Sequence, residues 1–238
     1  MLLRFNTKEL FFGMEYNFRS KYEFRQFIDY LKAELLLGLP GVEAHLKLAP
    51  GIRIHDLKNG HPPDHALESA VLIILYPFEN RLYSVVILRN EYDGAHSGQI
   101  SLPGGKKEES DEDFKSTAFR EAQEEIGIIP DEMELIGQLS RFYVQPSNFI
   151  IYPFIAFQEQ RPVFQPDATE VQRVIEIDIF KEIRYEKCVD KTLSFKKHRT
   201  VEAPGFMVGG EFMWGATAMI FSELIHLLLN VAEKLKQD

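Results

Sequence analysis

The sequence has a single cysteine, Cys188, among its 238 residues. This excludes an internal disulfide framework and predicts a protein of a reducing compartment. An excess of positive charge is also absent: 27 Lys and Arg residues stand against 36 Asp and Glu residues, a formal net charge of −9. That balance argues against sequence-independent binding to nucleic acid or to an anionic membrane surface.

Long hydrophobic runs are lacking as well. The first nine residues lose their apolar character too early for a signal peptide. The apolar stretch 219–231 is interrupted by Glu223 and His226 and is too short to span a bilayer. The last residues, Lys236-Gln237-Asp238, do not form a peroxisomal signal. We therefore expect a cytoplasmic protein that does not enter a membrane.

The distribution of apolar residues predicts an α/β fold. Helical periodicity covers residues 21–38 and 216–235, whereas strand-like runs cover 70–76, 83–88, 134–143, 149–157 and 171–179. Strands that flank helices predict a mixed sheet covered on both faces. A connector rich in Pro, Gly and His follows the first helix, so we divide the chain into an N-terminal helical extension and connector (1–66) and a main domain (67–238).

Three glutamates crowd one turn of a predicted helix. Glu121, Glu124 and Glu125 stand three and four positions apart, so their carboxylates project from one face. Like charges at this spacing disfavour an isolated helix by about 0.2–0.5 kcal/mol per pair. A hard divalent cation, which prefers oxygen ligands, would offset the repulsion. The pattern therefore predicts a metal site.

The same glutamates could form a solvated acidic face, but the surrounding residues favour the metal site. Ser110 and Asp113 are candidate caps at the helix start, and Gly127 stands where a left-handed C-terminal cap is expected. The pair Gly104-Gly105 lets the backbone approach a ligand closely. An apolar face repeats every four residues through Phe114, Ala118, Ala122 and Ile126.

The run from Arg120 to Ile128 reads Arg-Glu-apolar-x-Glu-Glu-x-Gly-apolar and resembles the second half of the Nudix box. That family hydrolyses diphosphates linked to nucleosides and other groups, using Mg²⁺ or Mn²⁺. The resemblance implies an α/β/α sandwich, here with an added N-terminal helix. It also implies that Glu121, Glu124 and Glu125 bind one to three metal ions, helped by the backbone carbonyl of Gly104.

One spacing departs from the general box. The interval from Gly105 to Arg120 is one residue longer than usual, so the acidic position is either Asp111, counted from the glycine, or Glu112, counted back from the arginine. The resemblance implies that Arg120 pairs with a box carboxylate and holds the loop against the helix. The sequence leaves open which of the two acidic residues that partner is.

The longer spacing resembles the coenzyme A pyrophosphatase branch of the family. An upstream signature of that branch falls in register at Arg89, His96, Gly98, Pro103 and the Gly104-Gly105 pair. Asn90 and Gly94 replace its usual serine and second arginine. The resemblance implies a nucleotide-diphosphate substrate, coenzyme A or acyl-coenzyme A, contacted by Arg89 and His96. The missing arginine at Gly94 keeps ADP-ribose and dinucleotides as alternatives.

Other candidates follow from their positions. Lys106 and Lys107 come directly after Gly105, so one of them is a candidate contact for a substrate phosphate. Related enzymes take the general base from the box or from a glutamate on a later loop. Glu170, just before a predicted strand, is therefore a candidate base or a plain polar loop residue. The basic cluster 196–199 is either a phosphate site or a solvated surface run.

Two classes of function remain open at this point. One is a Nudix hydrolase, in which Glu124, Glu125, Glu170 and Arg120 serve catalysis. The other is a binding module in which a Nudix fold senses a ligand. Such modules usually lose box glutamates, whereas this chain keeps all three. We therefore expect an enzyme, and the resemblance is compatible with a homodimer.

Overall fold

The computed structural model describes residues 16–91, 98–195 and 199–237. The helices are α1 (Lys21–Leu37), α2 (Val42–Leu46), α3 (Ile54–Asn59), α4 (Phe114–Ile126), α5 (Ile179–Glu182) and α6 (Gly215–Gln237). The strands are β1 (Leu67–Phe78), β2 (Arg81–Arg89), β3 (Ile100–Ser101), β4 (Gly104–Lys106), β5 (Glu134–Gln138), β6 (Phe142–Val144), β7 (Phe149–Phe157), β8 (Val171–Asp178), β9 (Val189–Phe195), β10 (Arg199–Val208) and β11 (Glu211–Trp214).

Strand β1 organises the main sheet. It pairs in parallel with β7, and in antiparallel fashion with β2 at one end and with β4 at the other. The hairpin from β1 to β2 turns through Glu79 and Asn80, whose φ angles of 48° and 61° give the left-handed backbone of a tight two-residue turn. The strand order β3-β2-β1-β7-β5 confirms the predicted mixed sheet.

Side chains alternate along β1 and so divide the core between two layers. Leu72 and Ile74 lie in a cluster with the apolar face of α4, whereas Ile73 and Leu75 lie in a second cluster with α1 and α6. The α4 side of the first cluster consists of Ala118, Ala122 and Ile126, as the helical periodicity predicted. Helices therefore cover both faces of the sheet, which confirms the α/β/α sandwich.

Helix α6 (Gly215–Gln237) confirms the helix predicted over 216–235, and it extends beyond the apolar stretch 219–231 at both ends. Among the described residues, α6 is the one helix that is long and apolar enough to cross a membrane. However, 78% of its most apolar part is buried inside the protein. Its Glu223 is fully buried and accepts hydrogen bonds from the Gly41 N–H (3.0 Å), His45 Nε2 (3.0 Å) and Ser140 Oγ (2.6 Å). Burial favours a higher pKa for Glu223, but these bonds outweigh it and lower the pKa.

The structure differs from the prediction at three places. The run 134–143 is split into β5 and β6, because Pro153 of the neighbouring β7 has no N–H to donate on that side. The carbonyl of Pro153 still accepts from the Leu139 N–H at 2.9 Å. The connector before residue 66 contains α2 and α3, and the sheet β9–β11 was not predicted.

Candidate active site

Helix α4 carries the glutamates and has well-defined ends. Asp113 is its N-cap, with Oδ1 accepting from the Ser116 N–H at 2.7 Å. Ser110, the other predicted cap, instead contacts Glu108 through its hydroxyl. Gly127 ends the helix with φ of 70°, as predicted, and its N–H donates to the Gln123 carbonyl.

Asp111, and not Glu112, is the acidic partner of Arg120. The Asp111 carboxylate is buried and accepts from Arg120 Nε at 2.9 Å and Nη2 at 3.0 Å, while Glu112 is exposed. The Glu108 N–H and the Thr117 hydroxyl donate to the same carboxylate, each at 2.9 Å. The Arg120 guanidinium, with these donors, holds the pKa of Asp111 far below its usual range. The pair therefore fixes the loop before α4 to the helix.

The three box glutamates lie together but differ in burial. Arg120 Nη1 lies 3.0 Å from Glu121 Oε1 and 2.9 Å from Glu124 Oε2, so one nitrogen holds two carboxylates. The side chain of Glu124 is 60% exposed, that of Glu121 17%, and that of Glu125 only 2%. Arg120 thus neutralises part of the repulsion that the sequence implied.

Glu125 is the most deeply placed carboxylate of the cluster. Its Oε1 lies 3.0 Å from Arg89 Nη1, and its Oε2 accepts from the Gly104 N–H at 2.8 Å. Burial raises the pKa of Glu125 to about 7, against the lowering effects of Gly104 and Arg89. Burial likewise raises the pKa of Glu121. Cations near these groups would favour their ionised forms.

The glutamate carboxylates suit a hard divalent cation, although in this structure they are paired with Arg89 and Arg120. Within the described ranges, no three His, Cys, Asp or Glu side chains converge closely enough to hold an ion as they stand. The carboxylates of Glu121, Glu124 and Glu125 are nevertheless the oxygen ligands that Mg²⁺ and Mn²⁺ prefer. Binding would require these oxygens to exchange arginine contacts for the ion.

The glycine pair allows close approach at two places. A Cβ on Gly105 would stand 2.3 Å from Glu121 Oε2, and a Cβ on Gly104, whose φ is 147°, would stand 2.3 Å from the Ala70 carbonyl oxygen. The next residue, Lys106, is exposed, and its carbonyl accepts from Arg120 Nη2 at 3.2 Å. Lys107 Nζ donates to the Asp111 carbonyl at 2.8 Å, so it stabilises the loop.

Glu170 lies across the site from α4. Arg89 Nη2 is 4.0 Å from Glu170 Oε2, so the guanidinium of Arg89 bridges Glu125 and Glu170. A cavity of about 630 Å³ opens beside these residues and is lined by Arg89, Asn90, Glu91, Thr169, Glu170 and Gln172. Of the predicted substrate contacts, Arg89 therefore lines the cavity, whereas His96 and the basic residues 196–198 lie outside the described residues.

Sequence reasoning missed the residues that hold the Glu170 loop. Asn90 donates from Nδ2 to the Ala168 carbonyl at 2.9 Å, and Asp167 Oδ1 accepts from the Thr169 N–H at 2.8 Å. An Asp two residues before a Thr is a recognisable turn signal. The bond from Asn90 joins positions far apart in the chain and has no local signal.

The chain is similar to one family model and to several known proteins. A profile of the NUDIX domain matches residues 66–188. The chain is 31% identical over 127 residues to peroxisomal coenzyme A diphosphatase NUDT7 of Mus musculus, covering 52% of this chain and about half (53%) of the mouse protein. It is 30% identical over 173 residues to the uncharacterized Nudix hydrolase NudL of Klebsiella pneumoniae, covering 68% of this chain and 85% of that protein. The structure of a MutT/nudix family protein from Enterococcus faecalis, 16% identical, covers 74% of this chain and 71% of its own with a TM-score of 0.49.

The profile match extends over more than half of the chain and includes β1 to β8 and α4. Within it lie Arg89, the glycine pair, the Asp111–Arg120 pair, the three glutamates and Glu170, which the fold brings to one end of the sheet. The NudL relative, 30% identical over 85% of its own length, supports the same assignment. The chain belongs to the Nudix family of hydrolases.

Proposed function

We propose that the protein is a metal-dependent hydrolase of the diphosphate linkage in coenzyme A or acyl-coenzyme A. Water adds to one phosphorus and the anhydride P–O bond breaks, which releases adenosine 3′,5′-bisphosphate and 4′-phosphopantetheine or its acylated form. The observation that carries the proposal is the buried Glu125 carboxylate within a cluster of box glutamates beside a cavity. Two mouse relatives named coenzyme A diphosphatases, NUDT7 and NUDT8, support the substrate, at 31% and 29% identity.

The metal ligands in this proposal are Glu121, Glu124 and Glu125, with the carbonyl of Gly104. When bound, Mg²⁺ or Mn²⁺ would supply positive charge for the phosphoryl oxygens and an activated water. Arg120 keeps Glu121 and Glu124 side by side through one nitrogen. Gly105 leaves room for the Glu121 carboxylate to lie against the backbone of β4. These contacts position the ligands before substrate arrives.

The remaining proposed roles concern Glu170, Arg89, Lys106 and His96, of which Glu170 and Arg89 line the cavity. In this proposal Glu170, which is half-exposed and next to Arg89, accepts a proton from the attacking water. Arg89 can contact a substrate phosphate from the cavity wall, and Lys106 can do so from the exposed end of β4. His96 is assigned to substrate binding from the branch signature alone.

The test is product release from a panel of coenzyme A, acyl-coenzyme A, ADP-ribose, NADH and diadenosine polyphosphates, with Mg²⁺ and then Mn²⁺. We expect preferential release of adenosine 3′,5′-bisphosphate from coenzyme A, and none from Glu125→Gln. An active Glu125→Gln variant would remove Glu125 from the metal site. No turnover of any member by the wild type, in either metal, would favour a ligand-sensing module.

A second candidate is hydrolysis of ADP-ribose or a dinucleotide. It is favoured by Gly94, which stands where the coenzyme A branch usually has an arginine. An arginine lost from the substrate region removes a cation that could bind a phosphate. Preference for ADP-ribose or a diadenosine polyphosphate in the panel would retain the metal chemistry and replace the coenzyme A assignment.

The organisation of the protein is part of the same proposal. We assign residues 67–238 to the Nudix domain and residues 1–66 to an extension, with α1 packed against α6 in the shared core. We also propose a cytoplasmic location and a homodimer. Sedimentation of the purified chain at micromolar concentration tests the dimer, which a monomeric mass would contradict.

A further inference from the structure

We infer that Asn90 positions Glu170 by clamping the loop that carries it. Asn90 follows the last residue of β2, and Glu170 precedes β8, so the two lie at neighbouring strand ends. The Asn90 N–H donates to the Glu170 carbonyl at 3.1 Å, and the Asn90 side chain donates from Nδ2 to the Ala168 carbonyl at 2.9 Å. The inference rests on the proposed function, because it assigns Asn90 a role through the proposed general base.

The start of the same loop is hydrogen-bonded to the end of α4. The Gln165 N–H donates to the Ile126 carbonyl at 2.8 Å, and the Asp167 N–H donates to the Glu125 carbonyl at 3.0 Å. The loop is therefore tied at its start to the backbone of Glu125 itself. Movement of the loop at this point would also change its distance from the box glutamates.

The top of the loop, residues 168–170, contacts the end of β2. Residues 165–170 are exposed, and Asp167 organises them internally by accepting from the Thr169 N–H and hydroxyl and, through its carbonyl, from the Glu170 N–H. These bonds shape the turn, and the Asp167 carbonyl also accepts from the N–H of Val171, the first residue of β8, at 2.8 Å. On the β2 side, Asn90 makes two hydrogen bonds to the loop, and the Arg89 guanidinium lies 4.0 Å from the Glu170 carboxylate. The Asn90 amide group reaches the carbonyl of Ala168, two positions before Glu170.

The side-chain bond is the part of the clamp that a substitution can remove. In Asn90→Ala the backbone bond to Glu170 remains, whereas the bond to Ala168 is lost. One hydrogen bond of ordinary net strength changes a local equilibrium about fivefold to tenfold. We therefore expect the top of the loop to open about fivefold to tenfold more often, with Glu170 out of position in the open form.

Hydrogen exchange tests the clamp without reference to activity. In Asn90→Ala, the amides of Glu170 and Val171 should exchange about fivefold faster than in the wild type. Asn230→Ala is the matched control, because it removes a 2.9 Å bond from an asparagine amide to Glu34 at the interface of α6 and α1. Its exchange at Glu170 and Val171 should equal that of the wild type. Unchanged exchange in Asn90→Ala would overturn the clamp.

A double-mutant cycle tests whether the clamp acts through Glu170. Asn90→Ala should lower kcat with little change in KM, by at most the factor by which loop opening increases, and should have no further effect on kcat in Glu170→Gln. An equal loss of kcat in both backgrounds would show that Asn90 does not act through Glu170. A raised KM with unchanged kcat would make Asn90 a substrate contact and would equally overturn the inference.

The cycle also separates this inference from the proposed function. If the wild type hydrolyses no member of the substrate panel, the proposed function fails, and the catalytic role of the clamp fails with it. If Glu170→Gln retains wild-type kcat, the hydrolase function stands, but Glu170 is not the base and Asn90 positions nothing catalytic. Coupled loss of kcat together with faster exchange supports the inference.

Discussion

Replacing Glu125 by Gln should stabilise the protein above neutral pH while abolishing its turnover. Glu125 is 2% exposed, and burial raises its pKa to about 7 from 4.5. Between these two pH values the folded protein holds a proton that the unfolded chain has released. The free energy of unfolding therefore falls as the pH rises through this window.

The size of the effect follows from the two pKa values. Linkage gives 1.36 kcal/mol for each pH unit between them, so ionisation of Glu125 costs the folded state about 3 kcal/mol by pH 8. A glutamine stays neutral at every pH, and its carbonyl can still accept from the Gly104 N–H. Arg89 loses one partner but keeps Glu170 nearby and is 24% exposed.

Urea unfolding in EDTA, followed by the fluorescence of Trp214, measures this effect. Glu125→Gln and wild type should unfold with similar free energies near pH 4.5, and the variant should become about 3 kcal/mol more stable by pH 8. Glu124→Gln is the control, because Glu124 is 60% exposed and its replacement should follow the wild type. A constant difference between Glu125→Gln and wild type across this range would refute the reasoning.

Three further predictions concern other contacts. Gly105→Ala should displace the Glu121 carboxylate and weaken Mn²⁺ binding about tenfold in calorimetric titration, and unchanged affinity would contradict the crowding described above. Asp111→Asn should lower the free energy of unfolding at pH 7 by about 3 kcal/mol, because it leaves Arg120 without its buried partner. Since the pKa of Asp111 is depressed far below 3.8, this difference should shrink steadily as the pH falls below 3.8, and a difference that stays constant between pH 4 and pH 2 would argue against the ion pair. Glu223→Ala should destabilise the fold by about 3 kcal/mol in thermal or urea unfolding without changing Mn²⁺ affinity, and a stable variant would show that the Glu223 cluster contributes little.

Local patterns in the sequence were sufficient to predict the elements that carry the site. Apolar spacing located α4 and its buried face, and Gly127 marked its end. The same reasoning placed β7 at 149–157, in agreement with the structure. It did not predict β9, because β9 is exposed along most of its length and shows no alternation of apolar and polar residues. The interruption between β5 and β6 depends on Pro153 in a different strand, which periodicity cannot reveal.

The site was predictable in its chemistry but not in its contacts. Counting from either end of the box left Asp111 and Glu112 as equal candidates for the partner of Arg120. Only the structure, in which Asp111 is buried against Thr117, distinguishes them. The raised pKa of Glu125 depends on its depth beneath β4, and no feature of the helix alone distinguishes it from Glu124. Asn90 was visible only as a departure from a signature, and its bond to Ala168 required the fold.

The balance of charge around the cavity indicates an order of binding. Asp111 and the glutamates at 121, 124, 125 and 170 place five carboxylates around two guanidinium groups, those of Arg120 and Arg89. Because carboxylates outnumber guanidinium groups, the net charge of this cluster is negative. The cluster therefore repels a free diphosphate and attracts a divalent cation. If cations bind the glutamates as proposed, Arg89 would lose its contact with Glu125 and would be free to turn towards a phosphate in the cavity. We therefore expect titration of coenzyme A into the Glu125-intact protein to show binding with Mg²⁺ and none in EDTA, and equal affinity under both conditions would contradict this order.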